Sequence, residues 1–275
     1  MSAPPERSRR FPLPLEKLGS RSASAAPREL LMPQRHLREA AADAARQSAP
    51  SGLGLDSAQV RQRMVQRLAS EGLRDERVLQ ALATVPRHEF VDSALAIQSY
   101  EDTSLPIGHA QTISKPSVVG RMLALLMAGQ TAQRLGQLGQ VLEIGTGCGY
   151  QAAVLALLGR QVVSIERLKP LHDKARANLA ALRAHHVRLI YGDGRLGHVA
   201  SAPFDSIVAA AGGDDIPSQW LAQLAPGGRL VAPMSKAGQG QVLVVVDHVH
   251  EGGVSHFVRS EHEAVLFVPL KSGVL

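Results

Sequence analysis

The stretch VLEIGTGCGYQ places Gly145, Gly147 and Gly149 between a short apolar run and a helical one. Glycine tolerates positive φ and carries no Cβ, so the backbone can turn sharply here and let a ligand approach it closely. Glu143 stands just ahead of these glycines, Thr146 lies between them and Tyr150 follows them. Glu166 closes the next apolar run, about 20 residues on, where an acidic side chain can accept hydrogen bonds from ribose hydroxyls. Asp193, followed by Gly194 in YGDG, ends the third run and can present its carboxylate to an adenine amino group. A pyrophosphate-binding fingerprint needs G-x-G-x-x-G, but the sixth position here is Tyr150 and the pattern is G-x-G-x-G. A mononucleoside cofactor without a pyrophosphate fits better, and S-adenosylmethionine is the usual occupant of E-x-G-x-G-x-G loops.

A second stretch, LPIGHAQTISKP over residues 105–116, crowds small polar side chains against a proline and the helical run SVVGRMLALLM. It reads as a loop leading into a helix. Pro116 suits the first turn, because its missing N–H would be unpaired there anyway. Ser114 then lies just ahead of the helix start, where free N–H groups and the positive dipole end favour anions. Taken by itself, Ser114 is either a plain N-cap or a hydroxyl for an anionic group, with Gln111 and Thr112 as further donors. Tyr100, Glu101 and Asp102 read as scaffolding, His109 as structural or solvated, and Trp220 as packing. No metal site is expected: His185 and His186 are adjacent without cysteine partners, and His248, His250, His256 and His262 are scattered. Cys148 has no visible base to make it a nucleophile.

Certain elements must position these groups. Val60, Met64 and Leu68 recur at i+4 after Asp56, a cap candidate, and Gly72 ends that helix. Asp75 starts a second helix that stops at Pro86, with Val78, Leu79 and Leu82 inward. From Val141 onward, VLEIG, QVVSIE, VRLIYGD, FDSIVAAA and GGRLVAPM read as strands. The helical runs QAAVLALLG, PLHDKARANLAALRAH and SQWLAQL fall between them. That alternation indicates βαβ units and a parallel sheet. QVLVVVDHV, VSHFVRS and AVLFVPL follow without helices and read as an antiparallel addition at the sheet edge.

The fold class expected is α/β: a Rossmann-like, doubly wound, mostly parallel sheet with antiparallel C-terminal strands and N-terminal helices. Residues 1–55, rich in Pro, Arg, Ser and Ala, read as a disordered basic tail with a short helix near 29–46. The segment 56–275 reads as one domain: helices and the 105–116 loop over 56–130, the cofactor core over 140–235 and antiparallel strands over 236–275. The formal charge is +6, and nine Lys/Arg against five Asp/Glu put +4 of it in the first 55 residues. The remainder is nearly neutral, which argues against nucleic-acid binding by the folded part. One cysteine excludes an internal disulfide and fits a reducing, cytoplasmic compartment. No transmembrane run or secretory signal is visible.

The segments PRHEFVD, YEDTSLPIGHAQTIS, VLEIGTGCGYQ, GDG, LAPGGRLVAP and FVPL resemble, in order and spacing, those of the protein-L-isoaspartate O-methyltransferases. The resemblance covers about residues 57–270, and LPIGHAQTIS separates this family from other class I methyltransferases. It implies a repair enzyme that uses S-adenosylmethionine to methylate the α-carboxylate of L-isoaspartyl residues in damaged proteins and peptides. The resulting ester then cyclises to a succinimide. By position, Ser114 matches the family's active-site serine, and Gln111 and Thr112 are further substrate-binding candidates. Gly145 to Gly149, Glu166 and Asp193 match its cofactor positions, with Glu143, Thr146, Tyr150 and Gly194 as their neighbours. The LPIGHAQTIS, VAPM and FVPL segments are expected to frame a peptide groove, and the enzyme to act as a monomer. Two other readings stay open: a class I methyltransferase acting on RNA or a small molecule, and a non-catalytic cofactor-binding interaction module. Against the first, FDSIVAAAGGDDIP holds neither an Asn/Asp-Pro-Pro-Tyr-type nor a cysteine motif.

Overall fold

Helix α1 (Ala58–Ser70) turns Met64, Val65 and Leu68 inward and ends before Gly72, whose φ is +105°. These are the first elements of a computed structural model that describes residues 58–182, 184, 186–238 and 240–275. The expected tail over 1–55, the helix near 29–46, the Asp56 cap and His185 lie outside the described residues. Asp75 caps α2 (Glu76–Thr84), accepting from the N–H groups of Arg77 and Val78 at 3.0 and 3.3 Å. The helix stops short of Pro86 and buries Val78, Ala81 and Leu82. Two 3₁₀ turns, Arg87–Phe90 and Ser93–Gln98, lead on from it.

The stretch expected as a loop is a hairpin. Strands β1 (Leu105–Gly108) and β2 (Gln111–Ile113) pair antiparallel, and Leu105, Ile107 and Ile113 point into the core. Between Gly108 and Gln111 the turn residues His109 and Ala110 both have positive φ, 53° and 56°. This is the mirror-image turn that matches strand twist, built without the Asn-Gly pair that usually announces it. Helices α3 (Pro116–Met127) and α4 (Gln130–Leu135) follow.

The main sheet comprises β3 (Gln140–Ile144), β4 (Gln161–Glu166), β5 (Val187–Tyr191), β6 (Phe204–Ala209), β7 (Leu224–Lys236), β8 (Gly240–Glu251) and β9 (Val254–Val265). Its order is β5-β4-β3-β6-β7-β8-β9. The pairs from β5 through β7 are parallel, and β8 and β9 join antiparallel. Helices α5 (Tyr150–Leu158), α6 (Lys169–Ala181) and α7 (Ser218–Ala222) lie between strands. Successive strand residues enter two cores, one on each face of the sheet. Val141, Leu243 and Val245 belong to one; Leu142, Ile144, Val242 and Val244 belong to the other. Burial on both faces explains why these strands read as continuous apolar runs.

One expected strand differs. β9 continues VSHFVRS as far as Val265, while Leu266–Leu270 leave the ladder and form an isolated bridge, Pro269 to Gly212. Pro269 has no N–H to give a ladder. The segment passes beyond the end of β6 instead, where Gly212 N–H donates to Val268 O at 2.8 Å and Leu270 N–H to Gly212 O at 2.7 Å. The strand order reverses between β4 and β6 on either side of β3. That switch point opens a crevice at the carboxyl end of β3.

Candidate active site

A cavity of about 230 Å³ occupies that crevice. Its floor is the turn after β3, in which Gly145, Gly147 and Gly149 have φ of 89°, 57° and 92°. Gly145, Thr146, Gly147 and Tyr150 line the cavity, and a Cβ on Gly147 would come 3.2 Å from Ile107 Cδ1. Gly149 does not line it. A Cβ there would meet Ala175 and Leu179 at 3.3 Å, so this glycine lets α5 and α6 pack. Glu166 fastens the turn: one carboxylate oxygen accepts from Gly147 N–H and the other from Leu168 N–H, both at 2.9 Å.

Glu143 lies beneath the turn rather than on the cavity wall, fully buried. Ser164 Oγ donates to it and also meets Thr146 Oγ1 at 2.5 Å. Burial pushes its carboxyl up to about 8, so it is largely protonated at neutral pH. Glu143 Oε1, Gln151 Nε2 and Tyr150 Oη are buried without a well-formed hydrogen bond, although Gln151 interacts with Glu143 and Arg87 with Tyr150. Gln151 and Tyr150 also line the cavity. Buried polar atoms are normally paired, and Gln151 at the cavity wall, with the bare backbone of the glycine turn, fits a polar ligand there.

Gly194 lines the cavity, and a Cβ on it would fall 2.5 Å from Ile144 Cγ2. Trp220, expected only to pack, donates its indole N–H to Gly194 O at 2.8 Å. Asp193 is placed otherwise than expected. Its carboxylate accepts from Arg195 N–H at 2.9 Å and Gly273 N–H at 2.6 Å, and it does not line the cavity. It caps a 3₁₀ turn and holds the C-terminal segment.

That segment was opaque in the sequence. Arg167 Nε donates to Gly273 O at 2.9 Å, Leu275 N–H to Arg167 O at 2.8 Å, and Lys169 N–H to Leu275 O at 2.8 Å. The strap adds Lys271 and Leu275 to the cavity wall, beside Val268, Pro269 and Leu270 of FVPL. VAPM does not reach the cavity; it is buried within β7.

The opposite wall is the hairpin. Gln111, Thr112 and Ser114 all line the same cavity as the glycine turn, as does His109. Gln111 Nε2 leans back on His109 O at 3.4 Å, and the Ser114 hydroxyl bonds no described residue. The start of α3 already carries one anionic group of the chain's own. Asp102 accepts from Ser117 N–H at 2.8 Å and Ser117 Oγ at 2.7 Å, so a carboxylate of the chain itself meets the first free N–H of the helix. Asp102 is therefore scaffolding in a definite sense. Arg87, which sequence reasoning missed, reaches Ser114 from behind, Nη2 donating to its carbonyl at 2.7 Å. Among the described residues, no group of three His, Cys, Asp or Glu is placed to hold a metal ion.

The model of one family, protein-L-isoaspartate(D-aspartate) O-methyltransferase, matches residues 59–275. The chain belongs to this family. A family relative from Methylibium petroleiphilum, a protein-L-isoaspartate O-methyltransferase by name, is 61% identical over 275 residues, covering 99% of each chain. One of the same name from Leptothrix cholodnii is 58% identical, covering 99% of this chain and 96% of its own. A solved protein-L-isoaspartate O-methyltransferase structure superposes with a TM-score of 0.66 at 26% identity, over 78% of this chain and 67% of the other.

Proposed function

We propose that this chain transfers the methyl group of S-adenosylmethionine to the α-carboxylate of L-isoaspartyl residues in damaged proteins and peptides. One observation carries the reading beyond family membership: a single cavity is walled on one side by the glycine turn and on the other by Gln111, Thr112 and Ser114. A nucleoside in the turn and a carboxylate at the hairpin would therefore meet in one shared cleft.

The cofactor supplies an electrophilic methyl group on a sulfonium. Gly145, Thr146 and Gly147 offer backbone for close approach, and Glu166 offers carboxylate lone pairs to the ribose. Gly194 keeps the wall beside Ile144 bare. Asp193 supports this region through its bond to the strap. The acceptor has a reference pKa of about 3.5 and is ionised at neutral pH, so no general base is needed. The protein's task is alignment, which can contribute roughly 7–11 kcal/mol. The Ser114 hydroxyl, uncommitted to any described residue, donates to one carboxylate oxygen and leaves the other facing the methyl group. Thr112 and Gln111 line the approach, and the hairpin restricts water.

In this reading the enzyme acts as a cytoplasmic monomer on protein, with neither membrane nor nucleic acid as partner. Among the described residues no helix is long and apolar enough to cross a membrane.

Labelled S-adenosylmethionine with paired peptides, differing only in isoaspartate or aspartate at one position, tests the proposal. Base-labile label is expected on the first peptide alone, and Ser114→Ala is expected to lower kcat/KM by roughly 10- to 1,000-fold. Label on neither peptide would refute the activity. An unchanged kcat/KM for Ser114→Ala would refute the role of the hydroxyl.

A further inference from the structure

Arg87 is fully buried. Its Nε donates to Ser99 O at 2.8 Å and its Nη2 to Ser114 O at 2.7 Å, while Nη1 has no hydrogen bond. It forms no ion pair among the described residues, and its Cζ sits 4.8 Å from the centroid of the Tyr150 ring. A guanidinium remains protonated in proteins, and a buried charge without a counter-ion is strongly unfavourable. The neighbours do not balance it. Burial pushes the Tyr150 phenol up to about 12 and raises the Cys148 thiol as well, so both are neutral. Asp102 contributes weakly to it and directs its carboxylate to Ser117. Ser114, Cys148 and Tyr150 all line the cavity, so the guanidinium stands one residue behind its wall.

We propose that Arg87 is the built-in counter-charge for the substrate carboxylate: a positioning residue that holds Ser114 by its carbonyl and projects positive charge through the wall toward the bound anion. The inference rests on the methyl-transfer reading above. It gives the site a preference that changes during turnover. As a carboxylate oxygen forms its bond to the methyl carbon, the carbon–sulfur bond breaks and its electron pair stays on sulfur. The carboxylate's negative charge and the sulfonium's positive charge disappear together. Arg87 is then left facing a neutral ester. The protein therefore holds the acid more tightly than the product, and release of the ester follows from the chemistry itself.

The test measures dissociation constants with S-adenosylhomocysteine bound, so that no turnover occurs. The ligands are an isoaspartyl peptide and the same peptide with its α-carboxylate replaced by a carboxamide, a stable neutral stand-in for the ester. Wild type is expected to favour the acid on the order of 30-fold. Arg87→Met should bring that ratio close to one by weakening the acid far more than the carboxamide, and Arg87→Lys should keep much of it. Equal weakening of both ligands in Arg87→Met would show a purely structural role and overturn the proposal. Should Arg87→Met fail to fold, the wild-type ratio at low and high salt decides the matter. A buried counter-charge is poorly screened, so the ratio should hold between about 0.05 and 0.5 M salt. Its collapse would assign charge recognition to the solvent-accessible cations at the cavity wall, Arg167 and Lys271, and overturn the role of Arg87. Failure of wild type to methylate the isoaspartyl peptide would instead strike at the activity, a separate result.

Discussion

Glu143 carries a proton that the unfolded chain would release. Burial holds its carboxyl at about 8 in the folded protein, against an ordinary value of 4.5. A folded pKa above the unfolded one stabilises the fold at low pH, and that contribution is lost as pH rises from 4.5 toward 8. Glutamine is neutral throughout and fills nearly the same space. Without cofactor, Glu143→Gln should therefore resemble wild type in stability near pH 5 and gain on it at higher pH, by at most about 1.4 kcal/mol per pH unit. Urea unfolding of both proteins at three pH values measures this, and a difference that stays constant with pH would contradict it. The sequence marked Glu143 as part of a cofactor motif. It could not show that the side chain runs beneath the turn, because that depends on Ser164, which comes from the neighbouring strand. Arg87 was hidden for a related reason. Nothing local to PRHEF shows that the fold brings the Ser99 and Ser114 carbonyls around this arginine.

At the scale of elements, the hairpin over Leu105–Ile113 holds strain at its tip. His109 and Ala110 both occupy the left-handed region, which costs roughly 1–2 kcal/mol per non-glycine residue. Replacing the pair with Asn-Gly suits the same turn. The double variant His109→Asn/Ala110→Gly should gain about 1 kcal/mol, once the extra freedom of glycine in the unfolded chain is set against the relief. Thermal unfolding of the two proteins checks the sign, and a loss of stability would mean that the turn is not strained. These residues are also why the hairpin was illegible: without a glycine at either tip position, the stretch looked like a loop. The parallel strands were legible because burial on both faces leaves a plain apolar run, and the cap at Asp75 and the first helical turn at Pro116 follow local rules. The occupied start of α3 was not, since Asp102 comes from an earlier segment.

Across the whole molecule, the strap from Lys271 to Leu275 joins distant parts of the chain. It ties the end of β4 and the start of α6 to Asp193 and contributes directly to the cavity wall. Ending the chain at Leu270 should leave the fold intact but accelerate release of S-adenosylhomocysteine, on the order of tenfold, because most affinity changes appear in the off-rate. Stopped-flow dissociation measures it, and an unchanged rate would mean that the strap merely rests on the surface. Nothing in SGVL announced this, since its bonds run almost entirely through backbone groups, which composition does not reveal.

Cys148 is the chain's sole thiol, 2% exposed within the glycine turn. An alkylating reagent can reach it only when that turn opens, and burial keeps the sulfur protonated until then. The protein thus carries a single-site clock for the breathing of its own ligand pocket, readable by mass without any engineered label.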